Sequence, residues 1–463
     1  MKPPPTTLKI TPDVIERYEK PVPRYTSYPP APYWSDSYGP ADHSERLDAS
    51  REDGGDLSLY FHIPFCIRRC FFCACNTRVT RDEALPPKYL RALAKETDAV
   101  VEHLGSGRRV SQVHLGGGTP THLTPSQLGE LMGMVRDRFD VMAGAEVSIE
   151  VHPTVTTTEH VSTLAELGFN RVSMGAQDFD EEVQRRINRH QTYDETSLLV
   201  SDFRDHGFLS INVDLVYGLP YQTLLGMEKT MEHVLKIRPD RLAVYSYAHL
   251  PHEFPHQRGF PAEVIPVGKA KLDLFITARN ALIASGYEAV GFDHFCLSGD
   301  ELWAAYLRHE LQRNFMGYTT QAGKDLVALG MSAISDVQGG YAQNDKELEN
   351  YLRMAGNGGL ATARGRRLSG EDMARREAVM GFLCNGIFDA EKLRAAHGEA
   401  SYSAIRDAEN AASDLEEEGL IIVESGGRWI ATELGRIFGR VVASTFDTYT
   451  RAAIERPTFS RGV

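Results

Sequence analysis

Between residue 57 and about residue 250, short apolar segments alternate with amphipathic stretches of helical period. The segments are LSLYFHI (57–63), VSQVHLG (110–116), AEVSIEV (145–151), FNRVSMG (169–175), LSINVDLVYG (209–218) and DRLAVYSYAHL (240–250). Helix patterns such as LPPKYLRALAKETDAVVEHL and TPSQLGELMGMVRDRF lie between them. This repeated strand–helix order predicts parallel strands joined by crossover helices. Six units favour a barrel, partial or closed, over an open sheet. Polar residues gather at the C-terminal end of each segment, in HIPFC, GGGT, SIEVHP, MGAQD, DLVYGLP and YAHLPH. In a βα barrel that rim carries the active site.

The flanks have other patterns. Residues 1–50, with PVPRYTSYPPAPYW, read as an extended N-terminal arm without a core of its own. REDGGD at 51–56 marks a boundary, and the barrel is expected over 51–290, ending in the helix KAKLDLFITARNALIASGY. Residues 291–360 are mixed, with GFDHF, RNFMGYTTQ and turn signals at VALGMSAIS, and are expected to connect the domains and complete the site. Residues 361–463 are predicted to be a mostly helical, winged-helix-like domain, with LIIVESGGRWIAT as a hairpin around Ser425-Gly426-Gly427. Winged modules often bind DNA, but the acidic run DLEEEG favours a structural lid here.

Charge and cysteine usage narrow the function. A net charge of −13 repels nucleic acid and anionic lipid, so no nucleic-acid partner is expected. No apolar run approaches the ~18 residues of a membrane span. The N-terminus has no apolar h-region, so a cytoplasmic location is expected. Of six cysteines, Cys66, Cys70, Cys73 and Cys75 are clustered, while Cys296 and Cys384 stand alone. Clustered thiols of this kind read as metal ligands or redox groups, not as a disulfide framework.

Cys66-x3-Cys70-x2-Cys73 directly follows the first strand segment. Three thiolates from one loop suit three irons of a [4Fe–4S] cube, leaving the fourth iron open to a small molecule. Structural zinc needs four closed ligands, usually as two separated pairs, and no second pair exists. Gly116-Gly117-Gly118-Thr119-Pro120 follows the second segment, where bare glycines let backbone approach a ligand. Glu150 ends the third segment, and Gln177 with Asp178 ends the fourth. Asp214 lies inside the apolar fifth segment, where an unpaired carboxylate is costly; its partner is expected to be a ligand hydroxyl or an internal arginine. Arg189 is a candidate for binding a carboxylate, whereas Arg185 and Arg186 read as a solvated helix face.

HIPFC-x3-C-x2-C after a first barrel strand resembles the radical S-adenosylmethionine enzymes. PRYTSYP, Cys75, HLGGGTPT, EVSIEVHP, GFNRVSMGAQDF, NVDLVYGLP, YAHLP, RNFMGYTTQ, SAIS, YAQN and FDTY appear in order over nearly the whole chain. Together they resemble the oxygen-independent coproporphyrinogen III oxidase (dehydrogenase) family. The resemblance implies a partial (β/α)6 TIM-like barrel. It implies oxidative decarboxylation of two propionates of coproporphyrinogen III to vinyl groups through a 5′-deoxyadenosyl radical. It also implies a [4Fe–4S] cluster on Cys66, Cys70 and Cys73, and two S-adenosylmethionine molecules. Tyr60, Gly117, Glu150 and Ile334 match positions around the first, and Phe72, Gly118, Thr119, Gln177, Arg189, Asp214 and Ala248 those around the second. Cys75 matches a residue needed for activity but not for the cluster, and Tyr60 and His62 are expected to face the site. An electron donor such as flavodoxin or ferredoxin is implied.

A tetra-anionic substrate needs local cations, for which Arg24 and Arg313 are the candidates; surface salt bridges are the alternative for both. The chain supplies its own lid and shows no exposed apolar stripe, so a monomer is expected. His152 replaces an acid of the family pattern, Gly386 and Ile387 stand after Asn385 where a basic residue is expected within 384–389, and Cys296 is unusual. These departures leave open a related radical enzyme acting on another tetrapyrrole or alkylating its substrate. A non-enzymatic haem chaperone fits less well, given Cys75, Arg189 and the arm.

Overall fold

The computed structural model describes residues 12–451 together with residues 10 and 459. Six parallel strands form its centre: β1 (Leu57–Ile63), β2 (Arg108–Gly117), β3 (Phe139–Val151), β4 (Arg171–Gln177), β5 (Ser210–Tyr217) and β6 (Arg241–Ser246). They neighbour one another in chain order, each pair parallel. Crossover helices α1 (Leu85–Leu104), α2 (Pro125–Arg138), α3 (Thr158–Glu166), α4 (Tyr193–Asp205) and α5 (Leu224–Ile237) join them. Four start in the same way. Thr124, Thr157, Thr192 and Thr223 accept a hydrogen bond from a first-turn backbone N–H, satisfying a donor that the helix itself leaves unpaired.

Strand alternation separates core from site. In β1, Leu57, Leu59, Phe61 and Ile63 are wholly buried in the apolar core, while Ser58, Tyr60 and His62 take the opposite face. Register places Tyr60 beside His114, Glu150 beside Ser173 and Gly175 beside Asp214, so polar side chains of neighbouring strands meet inside the barrel.

The sheet extends beyond the six strands to twelve. Beyond β6 lie β8 (His294–Leu297) and β7 (Tyr287–Val290), both antiparallel, after helix α6 (Gly268–Ala284). On the other side β9 (Asp325–Leu329) pairs parallel with β1, followed by antiparallel β10 (Ile334–Val337), β11 (Gly340–Asn344) and β12 (Thr362–Arg367). The two edges do not pair, so the barrel is partial. Four of the six strands in the mixed 291–360 stretch therefore belong to the same sheet.

The N-terminal arm also differs from an extended one. Helices Pro12–Tyr18 and Pro40–Asp53 lie within it, and the second crosses the boundary expected at residue 50. Its buried face is only His43, Leu47 and Ser50, too little apolar surface to show a helical period in sequence. Between the helices the arm is clamped. Tyr25 Oη donates to Asp447 Oδ2 at 2.9 Å with both residues buried, and Trp34 stacks on Tyr341 at 5.0 Å. PRYTSYP thus docks on FDTY, from opposite ends of the chain.

The C-terminal module has helix Gly370–Asn385, strand Ile387–Asp389 and a hairpin, Ile421–Glu424 with Arg428–Ala431, in one three-stranded sheet. Phe388, Trp429 and Phe446 form its aromatic centre. Gly386 caps the long helix in the left-handed conformation, which gives a conformational reason for glycine there. Among the described residues no helix is long and apolar enough to cross a membrane.

Glu96 of α1 is a buried carboxyl accepting from Gly330 N at 2.8 Å and Tyr351 Oη at 2.7 Å, and from Asn344 Nδ2. Burial pushes it up to about 7 despite these bonds, from an ordinary value of 4.5. A carboxyl raised by folding favours the fold while protonated; this contribution is complete below the unfolded value and is lost as pH rises through 7. Between about pH 5.5 and about pH 8.5 the wild type should lose about 2 kcal/mol more stability than Glu96→Gln. Denaturant unfolding of both proteins at the two pH values measures this, and equal pH dependence would contradict it.

Candidate active site

After β1 the chain turns back on itself. Phe65–Cys66 pairs with Arg78–Val79, and Arg78 N donates to Pro64 O at 2.7 Å. The loop so closed carries Cys70, Cys73 and Cys75. Phe71 N donates to Ile187 O and Asn188 Nδ2 to Arg69 O, both at 2.8 Å, tying the loop to the barrel wall beyond β4. Cys66, Cys70, Cys73 and Cys75 line one cleft of about 360 Å³, together with Phe72, Gly117, Gly118, Thr119, Glu150, Gln177, Arg189, Asp214 and Ala248. Residues separated by more than a hundred positions meet there because every strand ends on the same rim.

The glycine turn sits against the cysteine loop. Gly118 N donates to Ile63 O and Thr119 N to Phe65 O, each at 2.8 Å. A Cβ on Gly118 would lie 2.7 Å from the carbonyl oxygens of Pro64 and Phe65, so only glycine fits. Thr119 Oγ1 lies 3.7 Å from Cys66 Sγ. Beneath the turn are Tyr60, under Gly116, and His62, under Gly117, linked by a hydrogen bond of 3.0 Å. His62 is further held through its Nε2 at Asn76 O, 2.9 Å. These two residues support the turn from the inner face of β1.

Glu150 does line the cleft. Its Oε2 accepts from Gly117 N at 3.0 Å, and His114 Nε2 stands 3.5 Å from Oε1. Burial favours the neutral acid, but His114 and the Gly117 amide outweigh it and hold the carboxyl below its ordinary value. Asp214 behaves oppositely. Burial raises it to about 6, relieved in part by Asn212 Nδ2 at 2.7 Å and Ser173 Oγ at 3.4 Å. Its partners are thus an amide and a hydroxyl, not the internal arginine offered as one alternative. Arg189 is buried; it donates to Gly175 O, to Gln191 Oε1 at 3.2 Å and to Cys70 Sγ at 3.8 Å. Arg185 and Arg186 instead pair with Glu182 on an exposed helix face, as expected.

The donor chemistry fits an iron–sulfur cluster. Among the described residues no three His, Cys, Asp or Glu side chains close on a point suited to one metal ion. Three thiols instead stand around an open cleft, as ligands to separate irons do.

A second cavity of about 330 Å³ adjoins the cleft, sharing Arg24, Cys75, Glu150, Tyr245 and Ser246 with it. Both volumes lie within the ~300–1,000 Å³ of an ordinary small-molecule pocket. Arg24 donates to Ser246 O at 2.6 Å, and Arg313 to Arg24 O and Tyr25 O, each at 3.0 Å. The Arg313 guanidinium lies over Phe292 and Tyr318 at 5.2 and 5.5 Å. Both arginines therefore face the cavity, and the alternative of surface salt bridges does not hold for them. Tyr245, Asp293 and Arg440 also line it and were not singled out from sequence. Tyr245 and Asp293 lie in segments with motif character, DRLAVYSYAHL and GFDHF, whereas the sequence around Arg440 carries no signal.

Other residues lie elsewhere. Ile334 packs with Trp34 and Tyr341, outside the residues lining either cavity. His152 lines the cleft as a neutral imidazole, driven far down by burial and by the charges of Arg189 and Arg68; its Nδ1 accepts from Thr154 N at 3.2 Å. Cys296 and Cys384 are buried with Leu302 and Tyr306 away from the cleft, and burial pushes both thiols up to about 12. Ile67, Phe71 and Val79 on the cysteine loop are exposed, unlike the surface expected from sequence.

Comparison with known proteins places these features in a family. Residues 60–234 match the Radical SAM superfamily. The chain is 40% identical to the oxygen-independent coproporphyrinogen III oxidase of Pseudomonas aeruginosa, covering 98% of this chain and 99% of that protein. The Synechocystis enzyme of the same name is 35% identical, over 99% of each chain. The solved structure of the coproporphyrinogen III oxidase of Escherichia coli, a radical SAM enzyme, superposes with a TM-score of 0.87 at 39% identity, covering 92% of this chain and 97% of that one. Full-length similarity and the shared cysteine and glycine loops lead to one conclusion: the chain belongs to the oxygen-independent coproporphyrinogen III oxidase family of radical SAM enzymes.

Proposed function

We propose that this chain converts coproporphyrinogen III to protoporphyrinogen IX without oxygen, by oxidative decarboxylation of two propionate side chains. The observation that carries this reading is a thiol-lined cleft adjoining a cavity lined by Arg24 and Arg313, with Arg24 and Cys75 shared between the two. Cys66, Cys70 and Cys73 would hold the [4Fe–4S] cluster. With S-adenosylmethionine bound, that cluster would supply a 5′-deoxyadenosyl radical for hydrogen-atom abstraction from a propionate chain, and loss of CO2 and of one electron to a one-electron acceptor would leave the vinyl group.

The protein's part is to bind, orient and exclude water. Gly117 and Glu150 form one half of the cofactor surface, with Tyr60 and His62 fixing the turn from below and Ile334 further out. Phe72, Gly118, Thr119, Gln177, Arg189, Asp214 and Ala248 form the other half, and these two sets of residues support two S-adenosylmethionine molecules. Asp214, ionised above about 6, suits hydroxyl donors of a ribose. Cys75 lines both cavities, which supports a role at the junction of cofactor and substrate. Arg24 and Arg313 suit the propionates. The arm and the C-terminal module cover the mouth, so a primary radical would be kept from water. The chain provides this cover itself, which supports a monomer, and a flavodoxin or ferredoxin would deliver the electron.

The test is anaerobic turnover by the iron-reconstituted protein with dithionite, S-adenosylmethionine and coproporphyrinogen III. Protoporphyrin after oxidation, with two 5′-deoxyadenosine molecules per product, is expected. Deoxyadenosine without protoporphyrin would contradict the reading. Cys70→Ala should lose both the iron and the activity. Cys75→Ser should keep the iron content while turnover falls roughly a hundredfold or more; turnover within threefold of wild type would remove Cys75 from the reaction. Gly118→Ala, which drives a methyl into the Pro64 and Phe65 carbonyls, should lower retained iron and S-adenosylmethionine binding at least tenfold. Equilibrium dialysis and iron assay measure both.

A further inference from the structure

The outer side of the cysteine loop differs from the rest of the chain in charge and in polarity. PFCIRRCFFCACNTRVTR (64–81) holds four arginines and no acidic residue, in a chain whose net charge is −13. Arg68, Arg69, Arg78 and Arg81 are all exposed. Among the described residues only Arg78 of these four has an ion-pair partner, Glu349 at 3.7 Å, and an exposed pair of that length is worth little. Ile67, Phe71 and Val79, on the same loop, are 43%, 38% and 40% exposed. Val79 lies beside Cys66 in the short parallel pairing, and so next to Ile67. Phe71 is fixed by the bond from its backbone N–H to Ile187 O and by an edge-on contact with Phe260 at 6.4 Å. Scattered single apolar side chains on a surface carry no message, but three on one basic loop mark an interaction site.

Position gives the patch its meaning. Ile67 follows Cys66, and Arg69 and Phe71 flank Cys70. The thiols line the cleft, whereas Ile67, Phe71, Arg78, Val79 and Arg81 do not. A protein seated on the outer side of this loop is therefore one residue away from two of the ligands assigned to the cluster. Electron transfer between proteins weakens steeply with distance, so an electron carrier has most to gain at this place. Redox encounters use small interfaces and are steered by charge. The arginines select an acidic partner. The apolar side chains between them suit the exposed dimethylbenzene edge of a flavin.

Resting on the function proposed above, we propose that the outer face of the cysteine loop, with Ile67, Phe71 and Val79 rimmed by Arg78 and Arg81, is the docking surface for a small acidic flavoprotein that delivers the electron. In the docked pair one electron leaves the reduced flavin and enters the cluster on Cys66, Cys70 and Cys73. The flavin is oxidised by one electron, the cluster is reduced by one, and no covalent bond forms or breaks.

The full-length, iron-reconstituted protein is titrated anaerobically with an FMN-loaded bacterial flavodoxin and followed by calorimetry. Wild-type affinity should fall at least tenfold between about 50 mM and about 200 mM salt. At the lower salt, Arg78→Glu combined with Arg81→Glu should weaken binding at least tenfold, and Phe71→Ala at least fivefold. Arg78 and Arg81 lie outside the cleft, so the double variant should keep its iron and form 5′-deoxyadenosine with dithionite within twofold of wild type. Arg81→Gln, at least threefold weaker, carries the test if the double variant loses iron. The control is Arg109→Glu combined with Arg308→Glu, the same change in net charge at the other end of the barrel. Arg109 opens β2, and Arg308 follows helix Glu301–Leu307, whose first residue pairs with Arg171 and Arg241 at the starts of β4 and β6. It should bind flavodoxin within twofold of wild type. Unchanged flavodoxin affinity in the Arg78 and Arg81 variants, or an equal loss in the control, would overturn the proposal. So would a wild-type protein that ignores flavodoxin but forms dimers, by sedimentation, that the double variant abolishes. Flavodoxin binding that depends on the patch, without protoporphyrin from either reductant, would support the docking surface and contradict the proposed function.

Discussion

The site depends on one close backbone contact, between the glycine turn after β2 and the start of the cysteine loop after β1. Gly118 N and Thr119 N donate to the carbonyls of Ile63 and Phe65, and no side chain fits between. This contact sets where Cys66 leaves the sheet, and hence where the thiols stand. It also aims the Gly117 amide at Glu150, which lies one strand further along the barrel. Tyr60 and His62 fill the space beneath the turn and leave the backbone little room to relax. Loop, turn and carboxylate are thus one unit, held by parallel register and by the absence of a Cβ.

A second level of organisation closes the mouth. Tyr25 meets Asp447 in a buried hydrogen bond, and Arg313 holds the carbonyls of Arg24 and Tyr25. The arm, the hairpin strand Gln312–Asn314 and the C-terminal module therefore approach the cavity as a connected cover. A charged hydrogen bond of this kind contributes roughly 1.5–3 kcal/mol, and leaving Asp447 buried without it costs a similar amount. The cover brings cations to the pocket in the same step, since Arg24, Arg313 and Arg440 lie on these three elements.

Much of this was legible in the sequence, for physical reasons. The six central strands announce themselves through apolar runs at regular spacing, and their polar rim through residues that a buried strand end would otherwise reject. The thiol spacing and GGGTP are short-range signals, and the structure brings them into one cleft. Other features were not legible. β9 is a short, fully buried strand whose partner β1 lies far back in the chain, and its last three residues open VALGMSAIS, which carries turn signals. Helix Pro40–Asp53 has too small an apolar face to show a period. Tyr60 and His62 have the parity of site residues, but parity does not reveal that glycines lie above them. Arg440 sits in an otherwise apolar helix end, and only the tertiary fold brings it to Arg24 and Arg313.

The central claim is that the cleft and the arginine-lined cavity bring a substrate propionate to the reacting end. Its most direct measurement uses coproporphyrinogen III deuterated at the carbon next to the ring on each propionate chain. The isotope content of the 5′-deoxyadenosine formed in a single anaerobic turnover is then read by mass spectrometry. The account predicts one deuterium in each 5′-deoxyadenosine molecule released with product. Unlabelled 5′-deoxyadenosine accompanying protoporphyrinogen formation would contradict it.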